Sequence, residues 1–166
     1  MMHDCAITEK YVLIFDLPCL FNLELAMSGR SFPYIWSADY KPRVGLLPRE
    51  GVATDIKWIE IKSCYIFHPL NAYDAPDGTV VLDAARHEKM FDVEQRGPNE
   101  GFPTLDRWVL NPKTGKATEQ RLDDRPQEFP RMNESLIGLK NDFGYFAGIS
   151  DVFRQADLIK QNLAKQ

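Results

Sequence analysis

Short runs of β-branched and aromatic residues, each closed by Gly, Pro, Asn or Asp, recur along the chain without any sustained 3.6-residue period. That pattern limits the fold more than any other feature. Residues 11–17 (YVLIFDL) form one such run, stopped by Pro18, and residues 43–48 and 58–61 form two more. Residues 105–110 alternate strictly, 111–115 (NPKTG) carry turn chemistry, and 116–122 resume as a strand, which predicts a hairpin. Residues 143–149 and 156–163 supply the last expected strands. Residues 28–43 and 86–103 read as loops. Residues 20–27 are ambiguous: Phe21, Leu23 and Leu25 alternate like a strand, whereas Glu24, Leu25 and Ala26 suit a helix. Strands this short and numerous predict an all-β architecture, as a sandwich, a barrel or part of a propeller.

One stretch concentrates the candidate chemistry, residues 64–87 (CYIFHPLNAYDAPDGTVVLDAARH). Residues 65–67 read as an apolar strand ending on His68, Asn71, Tyr73 and Asp74 lead into a turn at 75–78, and 79–82 begin a second strand. An imidazole at the end of a strand, held by a hairpin, aims a nitrogen at a fixed point. The chain has three histidines, His3, His68 and His87, and no HExxH, CxxC, Gly-rich phosphate loop or GxSxG. Imidazole is a common ligand of iron and zinc. Taken by residue type alone, His68 reads first as a hydrogen-bonded strand-end histidine and only second as a metal ligand, and His3 as part of a frayed start. His87, between Arg86 and Glu88, reads as a solvated side chain. Glu128, in QEFPR, either orients a ligating histidine from behind or pairs with Arg125 or Arg131 in a turn.

Composition narrows the class. A chain of 166 residues suits one domain or part of a larger one. A net charge of −4 and a pI near 5.4 give no reason to expect a nucleic-acid partner. No apolar run approaches the length of a membrane span, and the first ten residues lack the apolar core of a signal peptide. Three widely spaced cysteines, Cys5, Cys19 and Cys64, read as reduced thiols in a cytoplasmic protein.

Taken in order, HDCAIT with YVLIFDLP, FHPLNAYD, LDRWVLNPKTG, EFPR and ADLIKQNL resemble the carotenoid cleavage oxygenase family over essentially the whole chain. That family includes the lignostilbene dioxygenases and the retinoid isomerase of the eye. The resemblance implies a partial seven-bladed β-propeller, with about three to four blades' worth of strands, and residues 1–166 as one central segment of the domain. It implies a non-haem Fe(II) bound by four histidines from different blades. The metal, with O2, would cleave a double bond of an apolar conjugated carotenoid, apocarotenoid or stilbene-type substrate into two carbonyl products. His3 of HDCAIT resembles the second ligand and His68 of FHPLNAYD the third. Glu128 of EFPR resembles one of the glutamates that orient ligand histidines, and His87 matches no ligand position. Asp106 and Glu100 are candidates for a further carboxylate of that kind. The first and fourth histidines of the pattern fall outside residues 1–166, so the isolated chain is expected to be inactive. Phe32, Tyr34, Trp36 and Phe102 are candidates to line a channel, with strand packing the simpler use. The competing readings are a non-catalytic β-rich binding module and isomerase chemistry on the same ligands. The compartment expected is cytoplasmic, with membrane association open for the full-length parent.

Overall fold

The computed structural model describes residues 1–93, 100–149 and 157–165. The described chain is all-β apart from one five-residue helix and three short 3-10 turns. Thirteen strands fall into three successive antiparallel sheets and one side hairpin.

The first sheet has the order β1 (Ala6–Ile7), β2 (Tyr11–Asp16), β5 (Arg43–Pro48), β6 (Lys57–Glu60). Alternation decides its faces: Leu13 and Phe15 of β2 are buried, as are Val44 and Leu46 of β5. Between β2 and β5 the chain leaves the sheet to form a two-stranded hairpin, β3 (Cys19–Phe21) with β4 (Tyr34–Trp36). The ambiguity at residues 20–27 resolves here into strand and then helix α1 (Leu23–Met27). Asn22 makes the switch, because its Oδ1 accepts from Leu25 N at 2.9 Å and caps the first turn. The helix buries none of its residues and leaves Leu23 and Met27 exposed beside Phe21.

The second sheet is a four-strand meander, β7 (Pro69–Asp74), β8 (Val80–Arg86), β9 (Thr104–Asn111) and β10 (Lys116–Asp123). Its turns follow from local chemistry. Gly78 has a φ of 86° and Asp77 Oδ1 accepts from Thr79 N, while Asn111 Oδ1 accepts from Lys113 N and Thr114 N before Gly115 at a φ of 67°. The expected hairpin at 105–122 is therefore present as β9 and β10. The expected strand at 65–67 is not. Tyr65 makes only an isolated bridge to His87, and the strand starts after His68, at Pro69. Pro is tolerated at the first position of a strand, and pairing begins there, after His68 rather than before it.

The third sheet comprises β11 (Gln127–Arg131), β12 (Phe143–Gly148) and β13 (Leu158–Asn162). A large core lies between the first two sheets, built on residues such as Leu13, Tyr65, Leu82 and Trp108. A smaller one of Leu70, Leu105, Phe146 and Leu163 joins the second sheet to the third. β8, packed on both sides, is buried from Val80 through Ala85. The edge strands β1, β7 and β11 meet at one side, with β7 packed against both β1 and β11.

Candidate metal centre

The strands β1, β7 and β11 begin at the same end of the molecule, and each carries a candidate residue there. His3 lies three residues before β1, His68 immediately before β7, and Glu128 is the second residue of β11. Histidine 68 is fixed through its main chain: its carbonyl accepts from Ala85 N at 3.3 Å, and Tyr65 and His87 exchange two backbone hydrogen bonds of 2.8 and 2.9 Å. Its side chain is 32% exposed, so part of the ring faces outward.

Glu128 lies behind that ring, its side chain only 5% exposed. Its Oε2 is 3.0 Å from His68 Nδ1. It is neither in a turn nor paired with Arg125 or Arg131. The next residue explains its aim. Phe129 has a φ of 54°, a left-handed conformation uncommon for a residue with a Cβ. This kink coincides with a register irregularity between Glu128 and Arg131. It points Phe129 N at Glu128 Oε2, 2.5 Å away, and lays the Phe129 ring 5.3 Å from the His68 ring.

With Glu128 as carboxylate, the facing nitrogen of His68 donates, which leaves the lone pair on Nε2. A histidine held in that tautomer by a buried carboxylate has the usual form of a metal ligand. His3 is exposed and stands edge-on to His68 with ring centroids 5.2 Å apart. Two neighbouring neutral imidazoles suit iron, zinc or copper. The residues present thus fit two ligands and their support. Among the described residues no group of three or more His, Cys, Asp or Glu is placed to hold a metal.

His87 was expected to be solvated and is not. Its side chain is 3% exposed, and its Nε2 lies 3.0 Å from the other oxygen of Glu128. A sequence signal for this existed. Val80, Leu82 and Ala84 of β8 enter the larger core, so the opposite parity, carried one step past Arg86, points His87 toward the third sheet.

The other candidate carboxylates stand apart. Asp106 is buried but bonded by Thr104, Arg86 and Arg121, and Glu100 accepts from Val93 N. Phe32 and Tyr34 pack together, with Phe32 against Phe91, and Trp36 joins the larger core, while Phe102 is exposed. Cys64 is buried beside Arg86, Glu119 and Asp106, and burial pushes its thiol up to about 12.

Comparison with known proteins follows the same pattern. The family described as retinal pigment epithelial membrane protein matches residues 1–166. The carotenoid cleavage oxygenase of Mycobacterium tuberculosis is 38% identical, over 92% of this chain and 39% of its own length. Carotenoid 9,10(9',10')-cleavage dioxygenase 1 of Pisum sativum is 31% identical over 98% of this chain and 31% of its length. Isoeugenol monooxygenase of Pseudomonas nitroreducens is 28% identical over 90% of this chain and 32% of its length. Among solved structures, the cobalt-substituted apocarotenoid oxygenase of Synechocystis superimposes with a TM-score of 0.84 at 21% identity, over 99% of this chain and 36% of that one. The chain spans about a third to two-fifths of the length of these proteins.

Proposed function

The chain belongs to the family of retinal pigment epithelial membrane protein and the carotenoid cleavage oxygenases, and from that premise we propose that its parent is an Fe(II)-dependent dioxygenase. It would cleave a carbon–carbon double bond of an apolar conjugated substrate with O2, one oxygen atom going to each of two carbonyl products. The observation that carries this reading is His68, held through Nδ1 by a buried Glu128 at 3.0 Å, with the His3 ring edge-on to it at 5.2 Å.

In this reading the three sheets are successive blades of a seven-bladed propeller, and β1, β7 and β11 are their innermost strands. His3 and His68 are two of four imidazole ligands, the others belonging to parts of the domain beyond this span. Iron bound there would supply the redox chemistry that lets O2 react with a double bond. The protein's own residues prepare the place. Glu128 keeps the proton on His68 Nδ1 and lends the ring negative charge from behind, which raises its basicity. The Phe129 ring covers one side of His68 and, 62% exposed, offers an apolar surface to a substrate. Phe67 stands edge-on to His3 at 5.2 Å and adds a second apolar ring beside the pair.

Substrate class is read from relatives named for carotenoids and, in one case, isoeugenol, so both polyene and aryl-alkene substrates belong to the test. Among the described residues no helix is long and apolar enough to cross a membrane. Exposed Phe21, Leu23 and Met27 support membrane contact by an otherwise cytoplasmic parent. Anaerobic loading of the full-length protein with Fe(II), then O2 uptake on an apocarotenoid and a stilbene, tests the proposal. Two carbonyl products are expected, with loss of turnover in His68→Ala. The 166-residue chain alone is expected to be inactive. A rearranged intact skeleton, or full turnover by His68→Ala, would overturn it.

A further inference from the structure

Glu128 has two oxygens, and the function proposed above uses one. The other, Oε1, lies 3.0 Å from His87 Nε2. This imidazole is buried, its backbone is zipped to Tyr65, and its ring stands edge-on to Phe67 at 5.2 Å. Its remaining nitrogen, Nδ1, is buried with no hydrogen-bond partner. The side chain's one polar contact is therefore made to the carboxylate that holds His68.

We propose that His87 is a positioning residue, which by donating from Nε2 to Glu128 Oε1 fixes the rotation of that carboxylate and through it the orientation and tautomer of His68. The last torsion of a glutamate is soft and roughly two-fold. His68 and Phe129 N both address Oε2 and leave the carboxylate free to turn about that oxygen. A third donor on Oε1 removes this freedom. The choice of imidazole is informative. Nearby buried carboxylates are neutralised by guanidinium groups, Asp83 by Arg107 and Asp106 by Arg86 and Arg121. Glu128, buried to the same degree, is bonded by imidazoles and a backbone N–H alone. An imidazole N–H on Oε1 holds the carboxylate in place from the side that His68 and Phe129 leave open.

The role of His68 as metal ligand belongs to the proposed function, whereas the hydrogen-bond relay can be read without metal. Nitrogen-15 NMR of the histidine rings in the metal-free full-length protein should show His68 protonated on Nδ1 and His87 on Nε2. His87→Phe, which fills the space without a donor, should turn His68 into a mixture of tautomers. It should also weaken Co(II) binding, measured by chelator competition, about tenfold. His87→Gln, whose amide restores a donor, should recover the His68 tautomer and most of the affinity. A wild-type His87 protonated on Nδ1, or His87→Phe with His68 and Co(II) affinity unchanged, would overturn the inference. Should His87→Phe not fold, the wild-type spectrum and His87→Gln decide it, loss of the His68 tautomer in His87→Gln counting against the relay. Wild type that shows both tautomers but binds no Co(II) supports the relay and overturns the metal reading instead.

Discussion

Replacing Glu128 by Gln should move a proton on His87 and leave His68 as it is. The two oxygens of Glu128 are not equivalent. Oε2 accepts from His68 Nδ1 at 3.0 Å and from Phe129 N at 2.5 Å, and a backbone N–H can only donate. The glutamine carbonyl must therefore take the Oε2 place, which puts its NH2 opposite His87 Nε2. His87 then has to accept there and carry its proton on Nδ1, which is buried and has no acceptor. Leaving a buried donor unpaired costs about 1–3 kcal/mol, and loss of charge on the two remaining hydrogen bonds adds about 1 kcal/mol. Burying an amide in place of a carboxylate returns part of this, for a net loss of about 2 kcal/mol. His68 keeps its tautomer but loses the charge behind it, so metal affinity should fall about tenfold, against about a hundredfold for Glu128→Ala. Urea unfolding, imidazole NMR and Co(II) competition read the three effects separately. A proton shift on His68 rather than His87, or stability unchanged within about 0.5 kcal/mol, would refute the reasoning.

Other parts of the molecule yield sharper tests of the fold. Burial pushes Asp123 up, but hydrogen bonds from the Arg125 side chain, Gln161 Nε2 and Arg125 N outweigh it and hold the carboxyl well below the usual range. A depressed folded pKa stabilises fully above the unfolded value of about 3.9 and is lost as pH falls below it, so Asp123→Asn should flatten the acid limb of a stability–pH profile. Arg107 meets Asp83 at 2.7 and 2.8 Å across β8 and β9, and the Asp83 side chain is 2% exposed. Arg107→Met should cost about 3–5 kcal/mol by stranding that charge, and the double variant with Asp83→Leu should regain most of it in urea unfolding. Cys5 is exposed while Cys19 and Cys64 are buried, so iodoacetamide should modify Cys5 in the folded protein and the other two only after denaturation, as mass spectrometry would show.

Where turn chemistry and alternation agree, the strands were readable in advance. β5 spans the anticipated residues 43–48, and β9 with β10 follow from an Asn-to-Gly turn flanked by alternating runs. The reading failed at residues 65–67 because burial there comes from the larger core rather than from pairing, while β7 turns the polar Asn71 inward and so lacks the expected pattern. Residues 20–27 divided at Asn22, whose cap outweighs the alternation of Phe21 and Leu23. The candidate centre was legible only through ordered motifs. Its defining hydrogen bonds join Glu128 to residues 60 and 41 positions away, and no local period reports such pairings. His87 was hidden by charged neighbours: Arg86 turns back to Asp106 and Ser63 O, and Glu88 to solvent, so only the residue between them goes inward.

The placement of the centre on three strand heads has a mechanical consequence. His68 and Glu128 belong to different sheets, and so do His3 and His68, so no single sheet sets their separations. A hydrogen bond of 3.0 Å tolerates a shift of only a few tenths of an ångström before it weakens. The apolar core of Leu70, Leu105, Phe146 and Leu163 presses the second sheet on the third, but packing of this kind is non-directional. Direction comes from Asn71, 7% exposed on β7. Its Nδ2 donates to Leu139 O at 2.7 Å and Asn141 Oδ1 at 2.8 Å, and its Oδ1 accepts from Gly138 N at 3.1 Å. These bonds tie the segment leading into β12 to the strand that His68 heads, and β12 in turn pairs with β11, which carries Glu128. One buried amide, two positions past Pro69, thus holds the third sheet in register with the second. The same strand that presents the imidazole also fixes where its carboxylate partner must lie.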